Sequence, residues 1–315
     1  LAVVNGTMAL QLAIETLEIK GTILVPAFSW IASASAVGWQ KCKIKYCDID
    51  EKTLNISINS IEKNIDSSVE AIMPVHVFGN PCDVEALELI AKKYNLKLIY
   101  DAAHAFDVKY KNSSILNYGD LSVLSFHATK VFNTFEGGAI ISHSKKMKEK
   151  IDQYKNFGFT GEVTISGIGI NGKMNELQAA MGLVQLKHIR KNISKRKKVF
   201  DLYKSELSSI NGIRFLANMP NLDYNYAYAP IFIDKQQLGY SRNSIYKKIL
   251  KEDIYTRRYF YPLISNFELY KRNESAKVKN LPIANKISNQ VLCLPLYSDL
   301  KEKDIKRIVN VFTNL

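Results

Sequence analysis

A lysine just beyond an apolar strand is chemically suggestive. Burial disfavours its charge and leaves a nucleophilic amine suited to Schiff-base chemistry. Lys130 has that setting, ending the run Leu124-Ser125-Phe126-His127-Ala128-Thr129-Lys130 and preceding Glu136-Gly137-Gly138-Ala139. The paired glycines let backbone pass close to a ligand. Upstream, Asp101 closes another apolar run in Tyr100-Asp101-Ala102-Ala103-His104-Ala105. A carboxylate at that edge can pair with a protonated ring nitrogen, and the two alanines leave room for a flat ligand. At the start of the chain, Asn5-Gly6-Thr7-Met8 opens an apolar helix whose unpaired first amides favour a phosphate. A fourth segment, Asn171-Gly172-Lys173-Met174-Asn175-Glu176, crowds polar groups ahead of an Ala-rich helix. Each also has a plainer reading. Thr7 can be a helix cap, Asp101 a loop cap beside a structural His104, Lys130 a solvated lysine, and Asn171 or Asn175 a helix cap.

The elements that must position these groups follow from hydrophobic periodicity. Short apolar runs predict strands at Ile23–Phe28, Ile44–Ile49, Ala71–His76, Leu96–Asp101, Leu121–Phe126 and Ala139–Ser142. Helical patterns fall at Met8–Leu17, Ile31–Trp39, Val84–Tyr94 and Met147–Phe157. This alternation predicts an α/β fold, a mostly parallel sheet with helices on both faces. A long amphipathic stretch runs from Met174 to about Lys198. Beyond it, strand-like Tyr226–Ile233, Ile254–Phe260 and Val291–Leu296 mix with helical Ser241–Glu252, Ile283–Gln290 and Glu302–Phe312. The expected organisation is a large domain over 1–193 and a smaller α+β domain over 194–315.

Composition narrows the function classes. The chain has 315 residues, 47% of them hydrophobic, which permits a substantial core. No apolar run approaches the roughly 20 residues of a membrane helix, and no signal peptide is visible, so a cytoplasmic protein without a membrane partner is expected. Cys42, Cys47, Cys82 and Cys293 form no CxxC pair or zinc pattern, so reduced thiols and no metal are expected. The formal net charge of +13 invites a nucleic-acid reading. The lysines are spread over helix-like segments, however, and no helix-turn-helix, zinc or RNA-recognition signature accompanies them. The excess positive charge suits anionic small substrates instead.

Taken in order along nearly the whole chain, these segments resemble the DegT/StrS family of nucleotide-sugar aminotransferases. The likeness extends to Val25-Pro26-Ala27-Phe28-Ser29-Trp30, Cys47-Asp48-Ile49-Asp50, Met73-Pro74-Val75-His76-Val77-Phe78-Gly79 and Thr256-Arg257-Arg258-Tyr259-Phe260. The resemblance implies a fold-type I transferase dependent on pyridoxal 5'-phosphate (PLP). It implies that Lys130 holds the cofactor as a Schiff base and shuttles a proton, and that Asp101 keeps the pyridine nitrogen protonated so that the ring is an electron sink. His104 would lie near the phenolic oxygen and Trp30 would stack on the ring. Gly6, Thr7 and Ser125 would bind the phosphate, and Asn171 would reach the phosphate in a neighbouring subunit, making a homodimer with shared sites. Lys173 stands where many members carry Arg.

The resemblance also implies substrates: glutamate as donor and a nucleotide-linked keto-deoxysugar as acceptor. The Ser114–Ile140 run and the Asn171–Glu176 segment look most like enzymes that aminate sugar C4. Those make dTDP-4-amino-4,6-dideoxyglucose, here expected for lipopolysaccharide O-antigen or other surface polysaccharide. A C3 aminotransferase is the nearest alternative. A non-transaminating PLP-binding regulator, or a dehydratase of the same fold, is another; dehydratase relatives replace the Schiff-base lysine with His, against Lys130. Members usually carry a longer segment before the glycine-threonine motif. The sequence is therefore expected to be amino-terminally truncated, lacking a helix and a loop near the sugar site, with weakened folding or substrate binding.

Overall fold

A computed structural model describes residues 1–315. The chain begins with Ala2–Val3 (β1) and Gly6–Thr16 (α1), then Thr22–Pro26 (β2), Ile31–Trp39 (α2), Lys43–Cys47 (β3), Ile58–Asn64 (α3) and Val69–Ile72 (β4). Val84–Tyr94 (α4), Lys97–Asp101 (β5), Lys109–Tyr110 (β6), Ser113–Ser114 (β7), Leu121–Ser125 (β8), Gly138–Ser142 (β9) and Lys145–Tyr154 (α5) follow. Seven of these strands form one sheet in the order β1-β9-β8-β5-β4-β2-β3. From β3 to β8 neighbours are parallel, while β9 runs antiparallel to β8 and β1 antiparallel to β9. The expected α/β architecture is therefore present.

The two-residue period of the strands explains the layers. Ile23, Val25, Ala71, Ile99 and Val123 point into one apolar cluster with Leu10, Ala13 and Ile14 of α1, Val37 of α2 and Ile151 of α5. Leu24, Ile72, Leu98, Tyr100 and Leu124, their neighbours in sequence, point into the other with Ile61 of α3 and Val84, Leu87 and Ile90 of α4. Strands buried on both faces read as continuous apolar runs, as these do.

The remainder comprises Glu176–Leu186 (α6), Ile189–Leu207 (α7), Ile213–Phe215 (β10), Leu222–Asp223 (β11), Ala229–Ile233 (β12), Lys235–Leu238 (α8), Arg242–Lys251 (α9), Pro282–Gln290 (α10), Val291–Leu294 (β13) and Glu302–Thr313 (α11). A second, antiparallel sheet has the order β10-β12-β13. A third has the order β11-β6-β7, so residues 222–223 pair with Lys109–Tyr110 of the preceding large-sheet region.

Three sequence expectations change. The stretch from Met174 divides at Lys187-His188 into α6 and α7, and α7 continues past Lys198 because Val199, Tyr203 and Leu207 recur on one buried face. The strand expected at Tyr226–Ile233 begins only at Ala229, since Tyr226 has φ 51° in the left-handed region and cannot sit in a ladder. Ile254–Phe260 is not a strand: only Arg257 pairs, in one isolated bridge to Cys293. Its alternation of apolar groups serves packing, with Ile254 and Phe260 buried in two different clusters.

Candidate active site

The site lies beyond the carboxyl ends of the parallel strands, where chain leaving the sheet is free of ladder bonds. Asp101 is the last residue of β5, and Ser125 the last of β8. Asp101 is 6% exposed. Its Oδ2 accepts from Ser33 Oγ at 2.8 Å and its Oδ1 from the Ala103 amide at 3.2 Å. Ser33 is in turn 2.8 Å from Ser29 Oγ, one helical turn earlier. Burial pushes the Asp101 carboxyl above its ordinary value, against the hydrogen bonds from Ser33 and Ala103 and the nearby charge of Lys130. Such a carboxylate is short of positive charge, and a cationic ligand group would satisfy it.

Lys130 answers it from the loop after β8. Its Nζ donates to the Tyr228 hydroxyl at 3.3 Å. Burial pulls the amine down to about 8, while Asp101 pushes the other way. Against an ordinary lysine, that shift raises the neutral fraction at pH 7 from under about one in a thousand to about one in ten. The lysine of the sequence motif is thus an unusually nucleophilic one, and it shares its surroundings with Asp101.

His104 is held in one tautomer by its neighbours. Its Nδ1 accepts the Phe78 amide at 3.0 Å, so in the neutral ring the proton sits on Nε2. Burial keeps the ring's pKa well below its ordinary value, with the Lys130 charge adding to the effect. Nε2–H is therefore a donor for a ligand oxygen. Phe78 delivers its amide from a tight turn with φ 59°, next to Gly79 at φ 90°. A Cβ on Gly79 would meet His104 O and Asn225 Oδ1 at 2.8 Å, which explains the glycine.

At the amino end of α1, Asn5 caps the helix: its Oδ1 takes the Met8 amide at 2.8 Å and its carbonyl the Ala9 amide at 3.1 Å. Gly6 and Thr7 supply the first-turn amides left for an anion. A Cβ on Gly6 would lie 2.8 Å from Ser125 Cβ and 3.2 Å from Ser125 Oγ. The missing side chain is what lets the helix end and the Ser125 hydroxyl meet in one cradle. An anionic end here, a donor at His104, a carboxylate at Asp101 and an amine at Lys130 fit a flat, phosphorylated aldehyde with a basic ring nitrogen.

The remaining sequence candidates stand apart. Trp30 caps α2 at the mouth, 56% exposed, its ring edge-on to Tyr259 with centroids 6.0 Å apart. Asn171 is exposed on a loop bridged to Asn156, and Lys173 Nζ donates to Asn156 Oδ1 at 2.6 Å. Neither makes a hydrogen bond to the Lys130 cluster. Asn175 is the cap of α6, in a capping box with Gln178. Helix α6 buries only Gly182, while Leu177, Leu183, Val184 and Leu186 all stand at least half exposed.

Sequence reasoning missed Ser33, Tyr228 and Asn225. For Ser33 a signal existed: it is a polar residue in the first turn of an otherwise small and apolar helix, four positions after Ser29 in the loop that leads into it. For Tyr228 and Asn225 there was none, because they reach the site from the loop between β11 and β12.

Over residues 1–313 the chain matches the DegT/DnrJ/EryC1/StrS aminotransferase family. It is 45% identical over 312 residues to the dTDP-4-amino-4,6-dideoxy-D-glucose transaminase of Shigella dysenteriae, covering 99% of this chain and 84% of that protein. The Escherichia coli protein of the same name is 43% identical over 310 residues, covering 98% and 83%. Among solved structures, DesI in the presence of its TDP-sugar product superimposes with a TM-score of 0.94 at 29% identity, covering 99% of this chain and 79% of DesI.

Proposed function

The chain belongs to the DegT/DnrJ/EryC1/StrS aminotransferase family, and we propose that it moves an amino group from glutamate to C4 of a dTDP-linked 4-keto-6-deoxyhexose. It is a PLP-dependent transferase. The single observation that carries the substrate assignment is the identity of 45% and 43% to two transaminases of that name, over nearly all of this chain. The product would be a 4-amino-4,6-dideoxy sugar nucleotide for surface polysaccharide, made in the cytoplasm. No helix is long and apolar enough to cross a membrane.

PLP, when bound, supplies an electron sink beside the reacting carbon. The residues then divide the work. Lys130 Nζ would hold the cofactor and would carry a proton from one substrate atom to another. Its lowered pKa favours this reading, because it raises the fraction of the amine that carries a free lone pair. Asp101, buried and short of positive charge, would hold a proton on the ring nitrogen. His104 would donate through Nε2 to the phenolic oxygen, and Gly6, Thr7 and Ser125 would take the phosphate. Trp30 would cover the ring from the mouth. The division of labour between residues 1–193 around the cofactor and 194–315 as a smaller domain belongs to the same proposal.

A homodimer is part of it. Leu177, Leu183, Val184 and Leu186 on α6, and Ile165 and Ile168 in the loop that precedes it, are apolar groups that a monomer would leave in water. Asn171 lies in the segment leading to α6, so pairing there would carry it toward a second copy's site. The deciding experiment incubates the protein, PLP and glutamate with dTDP-4-keto-6-deoxyglucose and locates the new amino group by mass spectrometry and NMR. An amino group at C4 is expected. One at C3 favours the neighbouring class, and no transfer to any keto-sugar nucleotide sinks the reading.

A further inference from the structure

Resting on the aminotransferase reading above, we propose that Tyr228 is a positioning residue, which holds the free amine of Lys130 in place for proton transfer. The contact is direct: Lys130 Nζ donates to Tyr228 Oη at 3.3 Å, and the ammonium side of the chain lies 5.9 Å from the ring centroid. A neutral amine has two N–H donors and one lone pair. When one N–H is given to Tyr228, the lone pair stays free and its direction is fixed. In the transfer, the substrate C–H bond breaks, its electron pair stays with carbon, and a new N–H forms on Nζ. The resulting ammonium later releases that proton and is neutral again. Tyr228 accepts an N–H in both states, so it need not move.

A phenol suits this task better than a carboxylate would. Burial pushes the Tyr228 hydroxyl well above its ordinary range, so it stays neutral. A neutral acceptor restrains the amine without the charge that would hold it protonated.

The backbone that presents Tyr228 is unusually well fixed. Asn225, 1% exposed, donates to His104 O at 2.8 Å and Phe106 O at 2.9 Å, and accepts from the Ala227 amide at 3.0 Å. Arg196 of α7 reaches in to donate to Tyr226 O at 2.8 Å and Ala227 O at 2.7 Å. These buried polar groups hold Tyr226 in its left-handed conformation directly before the tyrosine. The Tyr228 ring is then wedged among His104, Phe78 and Tyr259, with centroids at 4.7, 5.4 and 5.7 Å. So many fixed partners for one side chain point to a position that matters.

The test is Tyr228→Phe, which keeps the ring. The protein is stripped of PLP, and the rate at which it captures added PLP on Lys130 is followed by visible absorbance. Loss of one neutral hydrogen bond predicts capture about 3- to 10-fold slower, with near-ultraviolet circular dichroism unchanged. In a Lys130→Ala background, adding Tyr228→Phe should leave the non-covalent affinity for PLP unaltered, because the effect passes through the amine. Capture at the wild-type rate overturns the proposal. So does an equal loss of PLP affinity in the Lys130→Ala background, which would mean that Tyr228 touches the cofactor itself. If Tyr228→Phe does not fold, 4-fluorophenylalanine at position 228 keeps the shape and replaces the hydroxyl with a very weak, uncharged acceptor, and it too should slow capture. Failure of the aminotransferase reading shows separately, as normal PLP capture by the wild type with no amino transfer.

Discussion

Replacing Lys130 with Met should make the PLP-free protein more stable at neutral pH, although it destroys the catalyst. Burial lowers the Lys130 pKa from 10.5 to about 8. The unfolded chain therefore binds more protons than the native one between those values, and this group's contribution to stability rises with pH across that window. Below pH 8 the native protein bears the full cost of a charged, desolvated amine, about 3 kcal/mol by the shift alone. The lost hydrogen bond to Tyr228 offsets about 1 kcal/mol of the gain. A net stabilisation of roughly 2 kcal/mol at pH 7 follows, which should vanish by about pH 10. Calorimetry or denaturant titration of both proteins at pH 7 and pH 10 gives the comparison, since groups other than the neighbouring Asp101 and His104 titrate alike in the two. A Lys130→Met protein less stable than wild type at pH 7, or a difference independent of pH, would refute the reasoning.

Asp101→Asn should leave the fold intact and slow the glutamate half-reaction by about 100-fold or more, the scale of breaking a buried charge pair; stopped-flow spectroscopy reads it, and a near-wild-type rate sinks the role given to Asp101. Gly6→Ala drives a Cβ to 2.8 Å from Ser125 Cβ, and equilibrium dialysis should find PLP bound about tenfold more weakly as the phosphate cradle opens. Leu183→Glu together with Val184→Glu should raise the dimer dissociation constant by about 100-fold or more in sedimentation, because it plants charge on the exposed apolar face of α6.

The parts of the site that lie at strand ends and helix starts were legible in the sequence, because the local pattern determines both the element and its edge. Asp101, Ser125 and Gly6 are of this kind. Lys130 was legible as the lysine after a strand. Its partners were not, since Tyr228 arrives from the loop that leads into a strand of another sheet and Ser33 from a helix face whose direction depends on packing. The long helix after Met174 was misread as one because only a two-residue turn at Lys187-His188, with no side-chain cap, separates the two halves. The supposed strand at Ile254–Phe260 shows the converse: alternation was real, yet no neighbouring strand offered a ladder beyond Cys293. The small sheet of β11, β6 and β7 joins residues more than a hundred positions apart through two-residue strands, too short to leave a periodic signal.

The central claim, that Lys130 carries PLP in a transaminase site, meets its most direct measurement in borohydride reduction of the PLP-loaded protein followed by peptide mapping. The pyridoxyl mass is expected on Lys130 alone. A label on another lysine, or none after PLP has been taken up, would contradict the account.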